Sequence, residues 1–172
     1  QADDPVAALQ AADGILVSGG NTWVLNKTLH DLGLVGPIRK AVLGRGVPYI
    51  GWSAGTNITC PTIRTTNDMP IITGAVLPSL NLVPFQINPH YLEAKVEGHN
   101  GETRDERIQE FLEVNKHEPV IGIPEGTWLH LHNDQLSYHS ANGKDLKLFS
   151  YGNEPVYYSE QQDIQFLMAH SC

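Results

Sequence analysis

The segment Gly51-Trp52-Ser53-Ala54-Gly55 restricts the possible folds more than any other stretch of this chain, because of what stands on either side of it. The apolar run from Val47 to Trp52 predicts a buried strand, and Ala54-Gly55-Thr56-Asn57-Ile58 predicts a short helix opening directly out of it. Strand, tight turn and helix in that order belong to a parallel α/β sheet, whose ligands lie outside the carboxyl ends of its strands. The serine sits in a G-x-S-x-G pattern, in which small neighbours let a strained turn hold the hydroxyl clear of the backbone. The bland reading of the same residues is a glycine-lined turn that needs a small side chain at position 53.

The rest of the chain repeats the alternation. Asp4 and Pro5 open a short packing helix that Gly14 stops, and Ile15-Leu16-Val17-Ser18 reads as a strand delivering the turn Gly19-Gly20-Asn21. Thr22 is expected to cap a helix carrying Val24, Leu25, Thr28, Leu29 and Leu32 and closing at Gly33. A third helix follows, with Pro37 in its first turn, Ile38, Val42 and Leu43 inward and Gly46 at its end. Residues 60–81 read as irregular. Val83 to Ile87 resumes as a strand running into Asn88-Pro89-His90, a charged helix over 102–114 turns Ile108, Phe111 and Leu112 inward, and Val120-Ile121-Gly122-Ile123 ends in Pro124-Glu125-Gly126. Alternation over 128–132, a turn at Asn133-Asp134 and short extended runs over 146–158 predict antiparallel strands at the tail. The expected fold is therefore a three-layer α/β domain, mainly parallel, with helices on both faces, and 172 residues make one such domain over 1–172.

Composition excludes several partners. With 11 basic against 19 acidic residues the chain carries a net charge of −8, which repels nucleic acid and anionic lipid. No apolar run approaches the roughly 18 residues of a membrane span. Two cysteines, Cys60 and Cys172, do not make a disulfide scaffold, so a reducing cytoplasm is the expected location.

Four predicted strand ends carry Gly20 and Asn21, Ser53, His90 and Glu125. A serine hydroxyl is a poor nucleophile at neutral pH and needs a base in hydrogen-bond reach, itself oriented by a third group. Of the eight histidines, His90 is best placed as that base; its bland reading is a turn histidine after proline. His130, His132 and His139 could evoke zinc, but no cysteine or carboxylate joins them at familiar ligand spacing, so no metal is expected. Two carboxylates compete as third member, Asp68 in the irregular loop and Glu125 at a strand end, and each has a plain reading as a turn or cap residue. Oxyanion stabilisation would fall to the backbone N–H of Ala54 and to that of Gly20 or Asn21. The glycine turn lacks G-x-G-x-x-G and a P-loop lysine, which weakens a nucleotide-binding reading.

The stretches SGGNTWVL, GVPYIGWSAGTNITCPTIRTTNDMPI, QINPH, EGHNGETRDERI and VIGIPEGTW closely resemble the peptidase E family of α-aspartyl dipeptidases, to which cyanophycinase is a more distant relative. The resemblance implies a fold like that of class I glutamine amidotransferases and cofactor-free hydrolysis of dipeptides with an N-terminal aspartate. It implies Ser53 as nucleophile and His90 as general base, and it favours Glu125 as third member while leaving Asp68 as a second candidate. Because a net −8 protein does not attract a small acidic dipeptide by its overall field, Arg64 and Arg104 are the expected local contacts to substrate. The plain reading of each is a solvated or ion-paired arginine. Family members are expected to carry further βα units before the first strand seen here, whose absence would leave a parallel edge and an apolar face uncovered. A monomer or homodimer is expected. A catalytically silent binding or regulatory homologue and an amidotransferase-like enzyme with another acyl substrate stand as alternatives; the latter normally uses cysteine where this chain has Ser53.

Overall fold

The structure, a computed structural model, describes residues 3–93 and 101–169. Gln1, Cys172 and residues 97–100 of the EGHNGETRDERI stretch lie outside the described residues. The chain divides into two compact units, Gln1–Val83 and Pro84–Cys172.

In the first unit, helix α1 (Pro5–Gln10) begins where Asp4 accepts the Ala7 N–H at 3.0 Å, with proline in the first turn, where its missing donor costs nothing. Strand β1 (Ile15–Val17) leads through Gly19 and Gly20 into α2 (Thr22–Asp31). The cap of α2 is Asn21, whose side chain accepts the Val24 N–H at 3.2 Å, rather than Thr22, which is its first residue. Helix α3 (Val35–Arg39) continues as a π-helical turn over Lys40–Gly44. The wider turn shifts the helical phase, so Ile38 and Ala41 are buried whereas Leu43, expected inside, faces outward. Strand β2 (Tyr49–Gly51) then runs parallel to β1, pairing Ile15 with Tyr49 and Val17 with Gly51, and hands over to α4 (Ala54–Asn57).

One face of this two-stranded ladder, Ile15, Val17 and Tyr49, packs on a core of Leu29, Ile38, Ile58, Ile63 and Leu80. The other face presents Leu16 and Ile50, partners in register, at 66% and 60% exposure. The irregular segment after α4 is tied down by polar side chains. Buried Asn26 of α2 donates to the carbonyls of Val76 and Pro78 at 2.7 and 3.0 Å and accepts from Ser79 Oγ at 2.9 Å. These bonds pair carbonyls that a segment without regular structure does not pair itself.

In the second unit, β3 (Gln86–Pro89) runs parallel to β4 (Val120–Ile123), with Pro89 opposite Ile123. Between them lies α5 (Arg104–Val114), opened by a capping box in which Thr103 and Glu106 each bind the other's backbone N–H. Its Ile108 and Leu112 meet Tyr91, Val120 and Phe149. Strands β5 (Thr127–His132) and β6 (Gln135–Ser140) form a hairpin across Asn133 and Asp134, both at positive φ as a two-residue turn requires. Strand β7 (Leu146–Phe149) adds antiparallel to β4 and β8 (Val156–Tyr158) antiparallel to β7, giving the order β3-β4-β7-β8. The result is a mixed α/β structure in which the two parallel pairs end at the residues of chemical interest. Among the described residues no helix is long and apolar enough to cross a membrane.

The junction of β1, β2 and α4 has no room for side chains: a Cβ on Gly55 would overlap the Val17 carbonyl, and one on Gly51 would overlap that of Gly55. Gly55→Ala is expected to lower unfolding free energy by about 1–3 kcal/mol, the usual cost of overpacking, read from urea unfolding. An unchanged midpoint would show that the junction can open.

Candidate active site

Ser53 follows β2 and precedes α4 at φ 57, ψ −117, a conformation that side-chain-bearing residues rarely adopt. The surroundings over-determine it. Tyr49 OH donates to the Gly55 carbonyl at 2.6 Å, Thr56 Oγ1 to the Gly51 carbonyl at 2.9 Å, and the Asn57 N–H to the Ser53 carbonyl at 3.0 Å. Burial, followed by repulsion from Cys60, raises the Tyr49 pKa above its ordinary value, so the phenol stays a donor. Gly19 lies close enough that a Cβ there would stand 3.2 Å from Ser53 Cβ and 3.5 Å from its Oγ. The turn after β1 is thereby held against the serine, and Gly20 within it takes φ 148, which calls for glycine.

The backbone N–H groups of Gly20, Asn21 and Ala54 donate to no acceptor among the described residues. They are available to a ligand, which is what an oxyanion site demands.

Asp68 lies in the same unit as Ser53 and is engaged with α2. Its Oδ2 accepts the Thr22 N–H at 2.7 Å and the Thr22 hydroxyl at 2.6 Å, while its carbonyl accepts Trp23 Nε1 at 2.9 Å. Asn21 Nδ2 reaches the Met69 carbonyl at 2.9 Å. The carboxylate thus sits at the positive end of α2 and ties the loop 66–69 to the Gly19–Asn21 turn. Arg64, in the same unit, donates through Nε to Thr62 Oγ1 at 3.1 Å.

His90 and Glu125 belong to the second unit. The parallel pair β3–β4 delivers them from adjacent carboxyl ends, and His90 Nδ1 lies 3.0 Å from Glu125 Oε1. With Nδ1–H donated to the carboxylate, Nε2 is left as a proton acceptor. His90 also has a positive φ, 53. The Glu125 turn is held by Asn142, whose Nδ2 donates to the Glu125 carbonyl at 2.8 Å, and Gly126 at φ 82 leaves that amide its space. Arg104 Nη1 donates to Asn88 Oδ1 at 3.3 Å, two residues before His90. Burial, then the neighbouring Arg107 charge, lowers the Arg104 pKa from the ordinary arginine value.

The structure therefore brings Gly20, Asn21, Ala54 and Ser53 to neighbouring strand ends in one unit, and His90 with Glu125 in the other. Asp68 is joined to Thr22, and the two arginines fall one in each unit. His130, His132 and His139 share one hairpin face, with His139 bonded to Glu160 and Ser137. Among the described residues no group of three or more His, Cys, Asp or Glu is arranged to hold a metal. Sequence reasoning missed Tyr49, Asn142 and a buried cluster around Tyr91 and Lys147. Only Lys147 left a signal, as a lone charge in the apolar strand Leu146–Phe149.

The sequence matches peptidase family S51 over residues 1–139. It is 46% identical over 160 residues to peptidase E of Nostoc sp. (strain PCC 7120), covering 93% of this chain and 65% of that relative. It is 48% identical over 153 residues to peptidase E of Escherichia coli (strain K12 / DH10B), covering 89% and 66%. The chain thus spans just under two thirds of the length of the curated relatives it matches. A crystal structure from Listeria monocytogenes EGD-e, described as a peptidase E protein, aligns with a TM-score of 0.53 at 22% identity, over 90% of this chain and 63% of that one, a likeness of fold.

The backbone of Ser53 generates a prediction that needs no substrate. Glycine relieves a positive φ while alanine keeps the strain, so Ser53→Gly should be more stable than Ser53→Ala by about 1 kcal/mol in urea unfolding. Equal stability, or a more stable alanine variant, would mean that position 53 is unstrained.

Proposed function

The chain belongs to peptidase family S51, and from that premise we propose that it acts as a serine-type dipeptidase, cleaving dipeptides with an N-terminal aspartate through an acyl-enzyme on Ser53. The observation that carries the reading is the strained Ser53 beside unspent backbone donors at Gly20, Asn21 and Ala54. Backbone strain of this kind clusters at active sites, and N–H groups without an acceptor beside a hydroxyl are what an oxyanion site needs.

In this reading His90 Nε2 takes the Ser53 proton as Oγ attacks the aspartyl carbonyl, and the oxyanion is bound by Ala54 N–H with Gly20 or Asn21. His90 then protonates the leaving amine, the C–N bond breaks, and water activated by the same imidazole releases aspartate. Glu125 holds the imidazole by its Nδ1 and stabilises the imidazolium, a role supported by their 3.0 Å contact. Asp68 is assigned instead to shaping the Gly19–Asn21 turn, a role supported by its two bonds to Thr22. The chemistry uses no cofactor.

The names of the relatives, peptidase E, support a peptidase. Aspartyl preference is assigned to Arg64 or Arg104, since a guanidinium can grip a carboxylate in a fork that an amide does not reproduce. The reading includes a three-layer, mainly parallel sheet of the glutamine amidotransferase kind, which the parallel pairs β1–β2 and β3–β4 support. It also includes a small acidic dipeptide as substrate, no nucleic-acid or membrane partner, a monomer or homodimer, and a cytoplasmic location.

The test is cleavage of Asp-Leu, Asn-Leu and Leu-Leu by the wild type and two variants. Asp-Leu should be strongly preferred. Glu125→Gln should lose roughly 10³-fold or more in turnover, as when a triad carboxylate is neutralised, and Asp68→Asn far less. Comparable rates on all three dipeptides would remove the aspartyl specificity, and equal or reversed losses would overturn the assignment of Glu125.

A further inference from the structure

We infer that Tyr91, clamped by Asp105 and Lys147, is the residue that positions His90 against Glu125. The inference rests on the reading of His90 as general base and concerns what keeps its ring in place. His90 sits at φ 53 with no glycine to excuse it, so its backbone tends to relax, and something must hold both ends. On one side Pro89 is paired with Ile123 in the β3–β4 ladder. On the other, the Tyr91 N–H donates to the carbonyl of the same Ile123 at 3.0 Å. Glu125 is two residues further along from Ile123, so one carbonyl fixes the imidazole and its carboxylate partner in a common frame.

The backbone bond is secured by the Tyr91 side chain, which is 5% exposed. Its ring covers Gly122 so closely that a Cβ there would come within 2.5 Å of Tyr91 Cγ, and it meets Phe149 edge-on at 5.8 Å between centroids. Its hydroxyl donates to Asp105 Oδ1. Lys147, directly opposite Gly122 in the β4–β7 ladder, donates to Asp105 Oδ2 and to Glu93 Oε1, both at 2.8 Å, and Tyr157 OH also reaches Glu93. Burial by itself would lower the lysine pKa, but its bonds to Asp105, Glu93, Tyr157 and Tyr91 outweigh that and raise it. Burial and then the bond to Asp105 raise the Tyr91 pKa, keeping its proton for donation. For His90 to relax, the Tyr91 N–H must leave Ile123 and its ring must leave Gly122, against a buried, ion-paired anchor. That makes Tyr91 a positioning residue, acting through His90.

The test is a double-mutant cycle with Tyr91→Phe and Glu125→Gln in the full chain. Tyr91→Phe keeps the ring and the Asp105–Lys147 pair, so the fold should survive. It should lower kcat about tenfold with KM unchanged, and in the Glu125→Gln background it should add less than a twofold loss, because the alignment it serves is already gone. A general structural role would give the same loss in both backgrounds and would overturn the inference, as would wild-type turnover in Tyr91→Phe. If Glu125→Gln itself keeps full activity, the reading of the His90–Glu125 pair fails instead. A second readout needs no turnover: the His90 ring resonance in long-range proton–nitrogen correlation spectra, assigned by its loss in His90→Gln, should shift in Tyr91→Phe. An unchanged resonance would show that the clamp does not set the imidazole.

Discussion

The contact on which the first unit depends is the approach of α4 to β1, where Gly55 lies against the Val17 carbonyl with no room for a methyl group. That approach is what lets the chain turn from strand to helix within two residues. It forces the serine between them to positive φ and leaves the Ala54 N–H without an acceptor among the described residues. Tyr49 closes the arrangement by bonding the Gly55 carbonyl from the strand that leads into the turn. Packing, backbone strain and unspent donors are in this sense one feature, produced by two glycines and a tyrosine within seven residues.

The second unit solves the matching problem by different means. Its imidazole is also at positive φ, but the strain is held by a ladder carbonyl and a buried tyrosine rather than by close glycine contact. The parallel register of β3 with β4 puts His90 and Glu125 at adjacent strand ends, and side chains from α5 and β7 stiffen the frame behind them. Ser53 and His90 both carry the proposed chemistry at positive φ, and active sites are where such strain is expected to be kept.

What was legible beforehand was local. The G-x-S-x-G spacing located the elbow, the inward spacing of Ile108, Phe111 and Leu112 located α5, and Asn133-Asp134 marked the hairpin, because each depends on residues close in sequence. Leu43 was misjudged because a π turn changes the helical phase, and nothing in the side-chain pattern announces one. The engagement of Asp68 with Thr22, 46 positions away, could not be read from the loop that holds it. Asn26 lies outside the apolar face predicted for α2, yet it is buried because it bonds the carbonyls of an irregular segment. Tyr91 was invisible for the same reason, and Lys147 showed only as a lone charge in an apolar strand: an ion-paired core exists only once three elements have met.

The account stands or falls on Ser53 being an activated nucleophile. The direct measurement is intact mass and peptide mapping after exposure of the folded protein to a serine-directed fluorophosphonate. A single adduct on Ser53 is expected, absent from Ser53→Ala and formed at least about a hundredfold more slowly in His90→Gln, the usual scale of a lost general base. No adduct on well-folded protein, or one that persists in Ser53→Ala, would contradict it.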